Sequence, residues 1–442
     1  MKNLRQLYLE AQGRQCPNLG IDLPLDLVME ILSRVPAKSI KRFCCVSRLW
    51  GYILGLPCFT ELFLTKSPCR PPLLLFTFEN KESIFFFSAP QPQNPGDDSS
   101  LVPARYNVHR KHYPKDFSVR VGSPLGGFIC RQDKGKVDTI VVSNPVTGES
   151  IFLPEVKSKN INIQMIPFLG YDPINKQFKV LCVKFGDVPN TSDDHQILTL
   201  GNNKKHLWRT TLCKPHYPKS NGICIDGILY YSSGFDLRTT RVSTIVCFDV
   251  RSEKFSFINI DHQCMFMTCA CTLINYKGKL GALQFTLSNL RCLVFWVLED
   301  AGKCKWSKCV YTIPPLWNNI VGRSDLDIVG VTSGGEVVLA TMHLLHPFYI
   351  YYYNPKGNTF IRVLIRGLEG FVRARVYTSL DYAENLKHMT EYDKGVNTNI
   401  YSLTEAISSQ LMHQYALLYI FIFKISFLLS HKICHCLTEE HV

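Results

Sequence analysis

Between residues 22 and 60 the apolar positions recur every three to four residues, the period of a helix. From about residue 70 they come instead in short β-rich runs separated by polar turns. In the first stretch Leu27, Val28, Ile31, Leu32 and Val35 form one stripe. Asp22 and Leu23-Pro24 open it, since proline suits a first helical turn where no N–H is needed, and Pro36 ends it. Asp26 and Glu30 complement the positive end of the helix dipole and Arg34 the negative end. A second series, Ile40, Phe43, Val46, Trp50, Ile53 and Leu54, predicts helices folded back on the first, with Leu56-Pro57 closing the segment and Phe59 as a last anchor. Roughly 35 residues cannot bury so many large apolar groups internally, so this three-helix unit is expected to need a partner.

The later pattern repeats. A strand–turn–strand unit runs from Ile140 through Asn144 to Leu153, from Ile245 through Asp249 to Phe257, and from Ile350 through Asn354 to Phe360. The runs at Ile197–Gly201 leading to Trp208 and at Val294–Asp300 leading to Trp306 fit the same template, and Phe76–Asn80 leading to Ile84–Phe87 reads as the first copy. Asn144, Asp249 and Asn354 are spaced by 105 and again 105 residues, with Gly201 and Asp300 between them. Asp226-Gly227, Lys277-Gly278 and Gly334-Gly335 mark hairpin turns about 20 residues upstream of the next unit. Four short strands in about 50 residues, repeated, predict propeller blades of kelch type. The fold class is therefore read as α+β: three helices, then a mainly-β, six-bladed propeller-like domain, with a stacked antiparallel β-sandwich as the alternative.

The order Leu23-Pro24, Leu27, Ile31-Leu32, Pro36, Ile40, Phe43, Val46-Ser47 and Trp50 resembles the F-box motif. Gly51 departs from that pattern, where a helix-favouring residue is usual. The β region is similar to the F-box-associated domain of plant F-box proteins. The likeness rests on Asn144-Pro-x-Thr147, Gly170-Tyr-Asp172-Pro with Phe178-Lys-Val180, Trp208-Arg209 and the closing Tyr377 to Leu386 segment. The resemblance implies an arm over 1–20, an F-box over 21–66, an associated propeller-like domain over 70–388, and a tail over 389–442. It also implies a substrate-receptor subunit of an SCF-type ubiquitin ligase, bound through an SKP-type adaptor to a cullin–RING ligase and holding a target protein. Leu23, Pro24, Leu27, Ile31, Leu32, Pro36, Ile40, Val46 and Trp50 would form or support the adaptor interface.

Composition alters this picture little. The 49 Lys and Arg against 36 acidic residues give a net charge of +13, but the basic residues are spread along the chain and no nucleic-acid signature accompanies them. No apolar run of signal-peptide length opens the chain, so the 18 cysteines are expected as reduced thiols in the cytoplasm or nucleus. No Cys-x-x-Cys pair, His-Glu-x-x-His or Gly-x-Ser-x-Gly is present, and Gly122 to Gly127 lacks the lysine of a phosphate loop. His109/His112, His343/His346 and Asp325/Asp327 read as incidental, so no catalytic, metal or cofactor residue is expected. The alternative is a stand-alone propeller enzyme or ligand-binding protein whose helices only pack. Residues 411–429 are apolar apart from His413, Gln414 and Lys424, and read either as a tail anchor or as an extension outside the family pattern.

Overall fold

The computed structural model describes residues 25–46, 48–80, 83–92, 99–110, 119–134, 138–156, 163–186, 195–201, 207–234, 244–259, 271–286, 292–313, 326–371 and 373–388. These fall into two units, one ending at Lys66 and one beginning at Ser67.

Four described helices, where three were expected, make up the first unit: α1 (Leu25–Leu32), α2 (Ala37–Cys44), α3 (Arg48–Leu54) and α4 (Pro57–Thr65). The Leu56-Pro57 step does not close the segment. Pro57 takes the first position of α4, where its fixed φ is already helical. Phe59 and Phe63 of α4 are fully buried, with ring centroids 6.3 Å apart. Ala37, Ile40 and Phe43 bury one face of α2, and Phe43 meets Trp50 of α3 at 6.5 Å. Glu30 of α1 accepts hydrogen bonds from Lys66 at 2.7 Å and Arg34 at 2.8 Å, which hold its carboxyl below the usual range.

In the second unit the described strands form six sheets. The first orders β26 (Arg375–Tyr382), β1 (Leu73–Asn80), β2 (Ser83–Pro90) and β4 (Ala104–Arg110). The second is β5 (Val119–Val121) to β8 (Ser150–Phe152) through β6 (Ile129–Asp133) and β7 (Thr139–Ser143). The third orders β9 (Ile163–Asp172), β10 (Gln177–Gly186), β11 (His195–Thr199) and β12 (Arg209–Thr211). In the fourth, β13 (Tyr217–Pro218) and β14 (Ile223–Ile225) both pair with β15 (Ile228–Gly234), followed by β16 (Thr244–Asp249) and β17 (Lys254–Asn259). The fifth runs β18 (Thr272–Tyr276), β19 (Lys279–Thr286), β20 (Cys292–Asp300), β21 (Lys305–Thr312). The sixth runs β22 (Leu326–Val331), β23 (Val337–Thr341), β24 (Phe348–Asn354), β25 (Thr359–Ile365), with β3 (Ser100–Leu101) added in parallel at its edge.

Six apolar clusters join neighbouring sheets and close a ring. Phe86 and Ile129 lie between the first and second, Val142 and Val180 between the second and third, and Phe168 and Tyr231 between the third and fourth. Ile245 and Trp296 continue it, then Leu283 and Leu339, and Phe76 with Ile350 returns it to the first sheet. A two-layer sandwich has one interface between sheets; six in a ring make a six-bladed propeller.

The turns expected from the sequence are those of the blades. Asn144, Asp249 and Asn354 each accept backbone N–H bonds two and three residues on, between the third and fourth strands of their sheets. Gly227, Gly278 and Gly335, with φ of +83°, +81° and +89°, make the hairpins between first and second strands. The first copy is displaced by one strand. The hairpin joining Phe76–Asn80 to Ile84–Phe87 connects the second and third strands of its blade, because β26 has taken the innermost place.

That closure is latched. Asn385 Nδ2 donates to Gly126 O at 2.8 Å, and Asn144 Nδ2 donates to Asn385 O at 3.0 Å. Gly127, at φ +84°, sits so close that a Cβ would lie 2.3 Å from Asn385 Cβ and 2.9 Å from Ala383 O. Gly127→Ala is therefore expected to destabilise the propeller by about 2 kcal/mol or more. A lowered urea midpoint followed by tryptophan fluorescence checks this, and an unchanged midpoint refutes it.

A buried polar network stands between the first two blades. Arg131, 1 % exposed, donates to Asp133 at 2.9 Å and to Ser143 at 3.1 Å; Ser143 and Ser150 are 2.8 Å apart, and His109 Nδ1 meets Ser150. Burial, reinforced by the Arg131 charge, pushes His109 down to about 4 from an ordinary 6.5. Between those values the unfolded chain takes up a proton that the folded chain refuses, so stability falls as pH drops through that window. His109→Asn should flatten this acid slope, by on the order of 3 kcal/mol between the two pH values, as measured by denaturant melts across pH.

Candidate functional site

In the helical unit, α1 carries apolar residues on two faces. Met29 and Leu32 are buried with Ser33, at the spacing of one inward face. Leu27 and Ile31, one turn apart, are 50 % and 44 % exposed. The stripe read from the sequence thus splits, because a short helix touching one side of a small bundle can cover only one of its apolar rows. Pro36, in the turn before α2, is exposed and Val46 half-buried. Leu32, Ile40 and Trp50 are buried, and so hold the helices under that surface without being part of it. Leu23 and Pro24 lie outside the described residues. Tyr52 of α3 is 60 % exposed, an apolar surface residue that the helical period did not single out because it lies between the stripe positions Trp50 and Ile53.

The innermost strands of the propeller enclose a channel of about 600 Å³. Its charged lining is Arg120, Lys219 and Arg375 against Asp327 and Asp381, with Tyr377 beside them. The Arg375 guanidinium lies over the Tyr377 ring at 5.0 Å. Burial lowers Arg120 from its ordinary value and pushes the Tyr377 phenol up to about 12. Two thiols reach the channel, Cys224 and Cys271, and burial raises both, Cys271 to about 11. Among the described lining residues there is no histidine to act as their base.

The other sequence candidates fall in structural places. Gly126 and Gly127 form the tight turn before β6, His109 belongs to the buried network, and His343 and His346 are exposed. His112, Asp325 and the apolar run 411–429 lie outside the described residues. No helix among the described residues is long and apolar enough to cross a membrane.

Two family descriptions match the chain: "F-box domain" over residues 21–62 and "F-box associated beta propeller domain" over residues 73–383. Among curated relatives, "F-box protein At1g53790" of Arabidopsis thaliana is 60 % identical over 369 residues, covering 83 % of this chain and 82 % of that protein. "F-box protein DOR" of the same plant is 43 % identical over 376 residues, covering 83 % and 93 %.

The described cysteines are all free thiols, and their environments differ. Cys45, Cys69, Cys304 and Cys309 are exposed, whereas Cys130, Cys247 and Cys271 are buried, with burial raising them to about 12, 12 and 11. Among the described cysteines, native alkylation at mildly alkaline pH should consume the exposed four first, with Cys271 slower by on the order of a hundred-fold. Peptide mass spectrometry over time reads the order, and comparable rates at Cys271 and Cys304 would contradict it.

Proposed function

The chain belongs to the plant F-box family whose members join an F-box to an F-box-associated β-propeller domain, and on that premise we propose that it is the substrate-receptor subunit of an SCF-type ubiquitin ligase. The F-box binds the SKP-type adaptor, and through it a cullin–RING ligase. The propeller binds a target protein, and ubiquitin transfer itself is carried out by the partner subunits, with this chain supplying proximity and orientation. Its place of action is the cytoplasm or nucleus.

One observation carries the adaptor reading. Leu27 and Ile31 are half exposed on the helix whose opposite face buries Met29 and Leu32. An apolar pair held out on a folded helix adds nothing to the helical unit's own core and is the usual mark of an interaction surface. In the family pattern the same helix contacts the adaptor, with Leu23 and Pro24 just before it and Pro36 just after.

Charged replacement of the exposed pair separates binding from folding. Leu27→Asp with Ile31→Asp should abolish co-purification of the SKP-type adaptor while changing stability by no more than about 0.5 kcal/mol each, as expected for exposed positions. Leu32→Asp, by contrast, should unfold the helical unit. Adaptor capture that survives the double replacement refutes the assignment.

A further inference from the structure

The passage from the third blade to the fourth gathers three side chains that neither the adaptor surface nor the channel uses. His195 begins β11, Cys213 follows β12 by two residues, and His216 directly precedes β13. One ligand atom from each lies within 4.8 Å of the other two. Sγ of Cys213 and Nδ1 of His216 are 3.7 Å apart. That nearly equals the roughly 3.6 Å between sulfur and nitrogen on a tetrahedral ion with bonds of about 2.3 and 2.05 Å. The two imidazoles meet edge to face with centroids 5.0 Å apart.

The side chains are also prepared for ligation. His195 is 2 % exposed, and its Nε2 is buried without a hydrogen-bond partner, an uncommon state for a buried imidazole. Its Nδ1 lies 3.4 Å from the Lys184 nitrogen, at the limit of a hydrogen bond, and ligation through Nε2 gives up that weak contact because the single ring proton then sits on Nδ1. Nε2 of His216 is 2.7 Å from the Tyr231 hydroxyl, and Nδ1 is 2.8 Å from Lys214 O. The Lys214 carbonyl can only accept, so Nδ1 carries the proton here; ligation through Nδ1 gives up that bond and moves the proton to Nε2, which then donates to Tyr231, the outer contact that fixes metal-bound imidazoles. Cys213 is only half-buried, which leaves a way in.

We propose that His195, Cys213 and His216 form a binding site for a zinc-class divalent cation that staples the third blade to the fourth. Binding converts the Cys213 thiol to a thiolate bonded to the ion and releases its proton to solvent. The fourth position is left to water, since among the described residues no other His, Cys, Asp or Glu joins the cluster. Little in the sequence signals the cluster: Cys213-Lys-Pro-His216 supplies only half a site, and His195 lies 18 residues upstream of Cys213, on β11.

The test uses the purified full chain, stripped with chelator and titrated with Co²⁺ and then Zn²⁺. One equivalent of Co²⁺ should bind with the visible bands of a tetrahedral site and a sulfur-to-cobalt charge-transfer band, and Zn²⁺ should displace it. Cys213→Ser and His216→Asn should each abolish the charge-transfer band. In the unaltered protein, Zn²⁺ should slow alkylation of Cys213 at least ten-fold while leaving exposed Cys304 unchanged, a readout that stands even if the variants fail to fold. Equal labelling of Cys213 with and without Zn²⁺ overturns the proposal, as does a cobalt spectrum unaltered in a folded Cys213→Ser variant.

Discussion

Everything in the β domain depends on one pairing, that of the last strand with the first. Each blade is a sheet of four or five strands with two apolar faces, so it is stable only when a neighbour covers each of them. Five of the six contacts between blades follow from chain order, but the sixth requires the two ends of the domain to meet. β26 meets this requirement by pairing with β1 from Leu73↔Tyr382 to Glu79↔Arg375, and Asn385 then locks onto Gly126 and Asn144 of the next blade. A ring closed in this way exposes no long sheet edge at its seam, which is how such folds avoid pairing with other chains. The parallel addition of Ser100 and Leu101 to β25 supports the same seam from its outer side.

Features set by neighbours in sequence were legible, and features set by distant residues were not. The 105-residue spacing of Asn144, Asp249 and Asn354 marked equivalent corners because each side chain closes its own turn, a local act with a local signature. The positive φ of Gly227, Gly278 and Gly335 is local in the same way. The displaced first copy was not legible, since nothing near Phe76 announces that Arg375–Tyr382, far along the chain, will take the innermost place. In the helical unit the period gave the helices but not their facing. Leu27 and Leu32 are equally apolar, and only the packing of the bundle decides that Leu32 is covered and Leu27 is not. The fourth helix was concealed by a proline that can both end one helix and begin another.

The two units differ in how they use apolar surface, and that difference bears on the proposed division of roles. The helical unit is too small to cover all its large side chains, so part of α1 stays exposed and a partner's surface would complete it. The propeller buries its described apolar clusters between neighbouring blades and takes polar residues inward as well. Arg131 with Asp133 is buried there, and breaking such a pair is costly because it strands a charge, so the network favours a single arrangement of blades one and two. A receptor domain that must present one target in one orientation gains from that rigidity, whereas an adaptor surface gains from unspent apolar area. The proposed cluster of His195, Cys213 and His216 fits the first demand. It sits where two adjacent blades are joined by a connection rather than a ladder, so a metal bond there adds constraint where hydrogen bonds between strands cannot.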